Sequence, residues 1–148
     1  MDIQYEFRDM SDSEFKREQV AFDEHGLEFG NPKDLDERFG YVVTDDGKFV
    51  GCSSGLAQKH GNEYGKYFYL SDLLVEKEYR KLGVGKKLLE LLEDKIKTIG
   101  IESIWTWTTG YGNAISFYEK QGYEIFSTFE NYYKSGHKRV GLIKSLSK

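Results

Sequence analysis

The chain has 148 residues, 39% hydrophobic and 31% charged, which suits one globular domain with a single core and excludes a disordered chain. No apolar run approaches the eighteen or so residues of a membrane span. Twenty-one basic against twenty-five acidic residues leave a net charge of −4, the wrong sign for coating a nucleic-acid backbone.

In chain order, Ile3-Gln4-Tyr5-Glu6-Phe7 alternates with period two and predicts a strand. Ser11-Asp12-Ser13-Glu14 matches a capping box and predicts a helix to about Glu28. Asn31 before Pro32 repeats a start signal, for a short helix ending near Gly40. Tyr41-Val42-Val43, then Asp45-Asp46-Gly47, then Phe49 to Cys52 read as a hairpin. A turn at His60-Gly61-Asn62 leads to a third strand, Tyr67 to Val75. Val84, Leu88, Leu91, Leu92, Ile96 and Ile99 recur at helical spacing, with Lys86, Lys87, Glu90, Glu93 and Asp94 opposite, and Gly100 stops that helix. Ile101–Thr108 reads as a strand, Asn113–Gln121 as a short helix, and Tyr123–Phe129 and Arg139–Leu146 as closing strands. The order predicts an α/β (α+β) fold. A mixed sheet of about six to seven strands is flanked by about four helices, with a parallel β-α-β unit at its centre. No linker composition divides the chain, so residues 1–148 are read as one domain.

The single cysteine, Cys52, leaves no partner for a disulfide and no thiolate cluster, and it reads as a small strand residue. His25, His60 and His137 have no metal-ligand spacing, so no metal is expected. The N-terminus carries no basic-then-apolar leader, which makes the cytoplasm the expected location.

The chemistry concentrates where the third strand, ending Leu73-Leu74-Val75, runs into Arg80-Lys81-Leu82-Gly83-Val84-Gly85-Lys86-Lys87 and opens a helix. Free backbone N–H groups, a positive dipole end and nearby cations make an anion site suited to a pyrophosphate. A P-loop fails, because it needs Gly at 80 and Ser or Thr at 87. A dinucleotide fingerprint fails at Leu88 and lacks an acid ending the next strand, where Trp107-Thr108 stands.

Arg80-x-x-Gly83-x-Gly85 after a Val-ending strand, followed later by Asn113-Ala114-Ile115-Ser116-Phe117-Tyr118-Glu119-Lys120-Gln121-Gly122-Tyr123, resembles the paired signatures of GNAT-superfamily N-acetyltransferases. The resemblance covers roughly Tyr41 to Leu146. It implies a sheet whose central parallel strands splay, and transfer of acetyl from acetyl-CoA to an amine by direct attack in a ternary complex. Leu73 and Val75 would then pair with the pantetheine arm, and the Leu74 N–H would face the thioester oxygen. Arg80, Lys81, Leu82, Gly83, Val84, Gly85 and Lys86 would hold the pyrophosphate through their backbone. Tyr118 matches the tyrosine that protonates the departing thiolate. Asp72 matches an acidic position in several relatives and is the candidate base. Many members carry an Asn where this chain has Tyr111, so Asn113 stands between two readings, a cofactor contact and a plain helix N-cap.

His137 and the acids Glu24, Glu28, Asp34 and Glu37 are weaker acceptor-side candidates, each also readable as an ordinary surface group. The acceptor that the resemblance implies is a small-molecule primary amine: a polyamine, an aminoglycoside or other antibiotic, or an amino acid. The alternatives are a protein amine, a non-catalytic acyl-CoA-binding module and a nucleotide-binding protein. Neither nucleic acid nor membrane is an expected partner, and the late strands and the family habit are compatible with a homodimer.

Overall fold

The computed structural model describes residues 1–31 and 35–147. The chain divides into two compact units, Met1–Asp34 and Leu35–Lys148.

In the first unit, helix α1 spans Asp12–Glu28. Its start is the expected capping box: Ser11 Oγ accepts from the Glu14 amide at 3.2 Å and Glu14 Oε1 accepts from the Ser11 amide at 2.7 Å. Arg8 grips the same carboxylate with both terminal nitrogens, at 2.8 and 3.0 Å, and helps hold it down at about 2. The expected strand at Ile3–Phe7 does not form. Alternation becomes a strand only against a partner ladder, and Ile3, Tyr5 and Phe7 stay exposed.

The second unit is a six-stranded sheet: β1 (Leu35–Asp45), β2 (Lys48–His60), β3 (Glu63–Val75), β4 (Ser103–Thr109), β5 (Glu124–Phe129) and β6 (Arg139–Ser145), in the order β1-β2-β3-β4-β6-β5. Two α-helices, α2 (Val84–Thr98) and α3 (Ala114–Lys120), join them. A single 3-10 turn, Lys77–Tyr79, fills a stretch to which the residue pattern assigns no element. With α1 that makes three α-helices among the described residues, and the only parallel pairing there is β3 with β4.

The short helix expected from Asn31 to Gly40 lies partly, at residues 32–34, outside the described residues; from Leu35 the chain is extended. Glu37, Phe39, Tyr41 and Val43 are more buried than their neighbours, and β1 runs in register with β2 from Leu35↔Lys59 onward. Pairing and burial override the local start signal. The hairpin turn forms as expected, Asp46 and Gly47 both taking positive φ, 49° and 80°, which a two-residue type I′ turn requires.

Helix α2 buries Leu88, Leu89, Leu92, Glu93 and Ile96, and of these Leu89, Leu92 and Ile96 share one core with Phe68, Leu70, Ile101, Ile104, Tyr118, Tyr123, Val140 and Leu142. Gly100, at φ 93°, ends it in a Schellman arrangement in which the Ile101 amide donates to Ile96 O at 3.1 Å. Helical spacing sets Glu93 on the solvent face, and the structure corrects this by burying it. Its carboxylate accepts from Tyr123 Oη at 2.7 Å and Lys144 Nζ at 2.8 Å. A buried carboxylate is tolerable when it is paired in this way.

Candidate functional site

Two irregularities in β3 build the site. The first is a bulge: β2 pairs Ser54 with Asp72 and then Gly55 with Leu70, leaving Ser71 extra. One added residue reverses the side-chain alternation. Before it, Phe68 and Leu70 enter the core; after it, Leu73 packs against that core while Asp72 and Leu74 are exposed.

The second is a divergence. Strands β3 and β4 pair only at Tyr67↔Ser103, Phe68↔Ile104 and Tyr69↔Trp105, whereas β4 continues along β6 to Thr109. Beyond Tyr69 the two strands separate, and Thr106 Oγ1 takes over the Leu70 carbonyl at 2.8 Å. The strand edges facing this gap have lost their ladder.

The Glu76 amide donates to Val50 O at 2.7 Å, and antiparallel alternation then turns Leu74, in register with Cys52, toward β2 as well. The backbone groups of Leu73 and Val75 therefore face the gap. The expected thioester donor, the Leu74 N–H, points the other way, and Leu73 supplies the gap-facing amide at this level.

At the end of β3 the chain turns through Lys81 (φ 66°) and Gly83 (φ 82°) into α2. Gly83 is the N-cap and offers no side chain, and the first turn of α2 contains no acid. The first amide bonded back into the helix is that of Lys87, to Gly83 O at 3.0 Å. The amides of Val84, Gly85 and Lys86 are left as helix-end donors for an anion. Arg80 Nε ties the loop to the strand end by donating to Val75 O at 3.0 Å.

The gap and the loop open on one cavity of about 610 Å³, within the usual range for a small-molecule site. Of the residues singled out in the sequence, Leu73, Val75, Arg80, Lys81, Gly83, Val84, Gly85, Lys86, Asn113 and Tyr118 line it; Asp72, Leu74 and Leu82 do not. Asn113 occupies the N-cap position of α3, yet its side chain makes no capping bond. Asn113 is thus the cap by position, with its side chain on the cavity wall and not engaged in capping. Tyr79, Thr108, Ala114, Phe117 and Gln121 complete the wall. The motifs give no notice of Thr106 and Thr108, although both alternate with Ile104 on the inward side of a strand, where a hydroxyl signals a function.

Tyr118 is 6% exposed. Burial pushes its phenol up to about 12, with a hydrogen bond to Thr106 pulling the other way. Burial, and then the charge of Glu93, raise Tyr123 as well. A phenol raised above its unfolded value near 10 keeps a proton in the folded state that the unfolded state releases, so stability is complete below pH 10 and falls as pH rises toward 12. For Tyr118 alone the loss reaches about 2 kcal/mol by pH 12. Denaturant midpoints at pH 9 and pH 11 should differ in that direction; equal midpoints would contradict the burial argument.

The Asp72 carboxylate accepts from Ser71 Oγ at 2.7 Å and Arg38 at 3.2 Å, on the outer face of the sheet. Arg38, which no sequence motif marks, reaches from β1 across β2 to touch Ser71 as well, at 3.0 Å. His137 is held by Ser135 Oγ at 2.8 Å and packs edge-on against Tyr111. Glu24 pairs with Arg17, Glu28 with His25, and Glu37 with Tyr64 and Lys59, while Asp34 lies outside the described residues. Cys52 is partly buried on β2, its thiol raised by burial and then by the charge of Asp72. Among the described residues no helix is long and apolar enough to cross a membrane.

Comparison with known proteins agrees with this geometry. An acetyltransferase of Bacillus cereus superposes with a TM-score of 0.78 at 22% identity, covering 95% of this chain and 97% of its own. An aminoglycoside 6'-N-acetyltransferase solved with coenzyme A gives 0.63 at 21% identity, over 84% of this chain and 79% of that one. At such identities these likenesses are of fold. An L-ornithine N5-acetyltransferase of Arabidopsis thaliana is 33% identical over 60 residues, 40% of this chain, and the matched stretch spans only 26% of that relative's length. The model of the acetyltransferase (GNAT) family matches residues 5–123, and with the splayed strands and the glycine loop already in place, this chain belongs to the GNAT acetyltransferase family.

Proposed function

We propose that residues 1–148 act as one N-acetyltransferase domain that moves an acetyl group from acetyl-CoA to a primary amine of a small molecule. The observation that carries this reading is the parting of β3 from β4 beside a cavity whose far end is an uncapped, basic helix start. In this reading the pyrophosphate rests on the amides of Val84, Gly85 and Lys86 with Arg80 and Lys81 near, and Leu82 only shapes the turn. The pantetheine lies in the gap and completes the broken ladder by bonding the backbone of Leu73 and Val75, with Asn113 at its side.

The amine lone pair forms a bond to the thioester carbon, and the carbonyl electron pair moves to oxygen. The Leu73 N–H stabilises that oxyanion, a kind of contact whose removal costs roughly 2.7–4 kcal/mol in acyl-transfer enzymes. The adduct nitrogen gives up its second proton to solvent, collapse restores the carbonyl and breaks the C–S bond, and the thiolate leaves toward the Tyr118 hydroxyl. An alkylamine arrives protonated at pH 7 and must first lose that proton. Asp72, on the outer face, is the proposed acceptor of it.

The test is thiol release from acetyl-CoA against polyamines, aminoglycosides, amino acids and peptides, with a no-amine blank. Release above blank is the expected outcome. Silence across the panel with acetyl-CoA bound would favour a non-catalytic acyl-CoA-binding module, a reading that the engagement of Asp72 by Arg38 and Ser71 supports. Cys52 lines no part of the cavity, so Cys52→Ala should leave the transfer rate within about twofold. Loss of transfer in a normally folded Cys52→Ala protein would overturn direct attack.

A further inference from the structure

Strand β4 has two chemically different sides. Ile104 and Thr106 are buried toward the helices and Thr108 lines the cavity. Trp105 and Trp107 project to the opposite side. There the Tyr69 and Trp105 rings meet at 4.5 Å on the last rung before the strands part. Trp107 lies 6.2 Å from Trp105 at 83°, and Phe126 closes the group at 6.3 Å from Trp105 and 5.6 Å from Trp107.

Gly141, in register with Trp107, makes this arrangement possible. A Cβ at that position would lie 2.6 Å from Phe126 Cζ and 2.9 Å from Trp107 Cζ3, so only glycine lets both rings lie across the strand. Tyr67, Trp105, Trp107, Phe126 and Ile143 line a shallow, open pocket of about 450 Å³.

We propose that this aromatic pocket is the acceptor subsite and that it selects an amine carrying an apolar, aromatic side chain. The inference rests on the acetyl-transfer reading above and narrows it. Its position argues for it, because β4 is a shared wall one strand thick, with Trp107 between Thr106, which holds the Leu70 carbonyl, and Thr108, which lines the cofactor cavity. Whatever crosses the gap emerges beside Tyr69 and Trp107.

Charge argues against a polycation. Among the described residues no carboxylate lines the pocket, and the Arg139 guanidinium already faces the Trp107 ring at 5.8 Å. A polyamine or aminoglycoside would bring like charge to that guanidinium and find no anion in the pocket. Five lining residues are also far fewer than the roughly 20–30 a side of a stable protein interface.

Trp105 and Trp107 are the only tryptophans in the chain, so tryptophan emission reports on this pocket alone. Titration with 2-phenylethylamine should change the emission saturably, whereas spermidine and kanamycin should not, and 2-phenylethylamine should give the lowest KM in thiol release. Trp107→Ala should raise that KM roughly tenfold or more, the scale of losing one buried ring contact, with the acetyl-CoA KM unchanged. Trp107→Phe should stay within about threefold of the parent, which separates lost recognition from lost folding. Acetyl transfer to spermidine or kanamycin without any response to 2-phenylethylamine would overturn the proposal and leave the transferase reading intact. An emission change that follows protein concentration instead of amine would also overturn it, in favour of a second copy of the chain. Saturable emission with no thiol released from any amine would keep the binding pocket and defeat the transferase reading.

Discussion

Tyr118→Phe is expected to lower kcat for thiol release roughly 10- to 150-fold while leaving the acetyl-CoA KM nearly unchanged. That range follows from removing a hydrogen-bond donor to a developing charge, about 1.5–3 kcal/mol. The phenol sits in the cavity wall at 6% exposure, and burial pushes it up to about 12. A thiol titrates near 8.5, so complete proton transfer from Tyr118 to the leaving sulfur would run uphill by roughly 5 kcal/mol. In the proposed mechanism Tyr118 therefore serves as a donor that stabilises the thiolate, with solvent supplying the proton afterwards. The same value removes any descending limb due to Tyr118 from the kcat profile below about pH 10. Steady-state rates from pH 6 to pH 10 check both points. A loss of a thousandfold or more would signal full proton transfer in the rate-limiting step, and an unchanged rate would remove Tyr118 from the chemistry.

Leu92→Ala is expected to destabilise the protein by about 2–5 kcal/mol, the usual cost of a cavity at a fully buried leucine. Leu92 has no exposed surface and lies in the core shared by α2 and the inward faces of the sheet. For a chain of this size the corresponding fall in Tm is roughly 5–20 °C. Thermal unfolding measured by circular dichroism, with and without acetyl-CoA, checks it. Ligand should restore part of the loss, because binding to the folded state alone adds stability by mass action. A fall of under 2 °C would mean that the helix and sheet are not one cooperative core.

Much of this protein is legible in the local chemistry of its residues. The Ser11–Glu14 capping box, the Asp46-Gly47 turn, the α2 stripe ended by Gly100, and the Arg80–Gly85 loop each depend on residues within a few positions of one another. Such signals act through a single turn of backbone, so they survive whatever the rest of the chain does. The two glycine-bearing signatures point to the correct family for the same reason, because the geometry they impose is local.

Local signals fail where a distant partner decides. Ile3–Phe7 has the alternation of a strand and no ladder, and Leu35–Gly40 follows a helix start signal yet pairs with β2. Glu93 has the spacing of a solvent-facing carboxylate, but Tyr123 and Lys144, far along the chain, are its partners.

The glycine loop, the helix starts and stops, and the identity of the tyrosine and glycines are therefore properties of the sequence alone, set by φ preferences and short-range hydrogen bonds. Which backbone amides face the gap is a property of the tertiary structure. It depends on the bulge at Ser71 and on β4 leaving β3 after Tyr69 to follow β6. Strand register is fixed by neighbours tens of residues away, and one extra residue turns each later side chain to the other face.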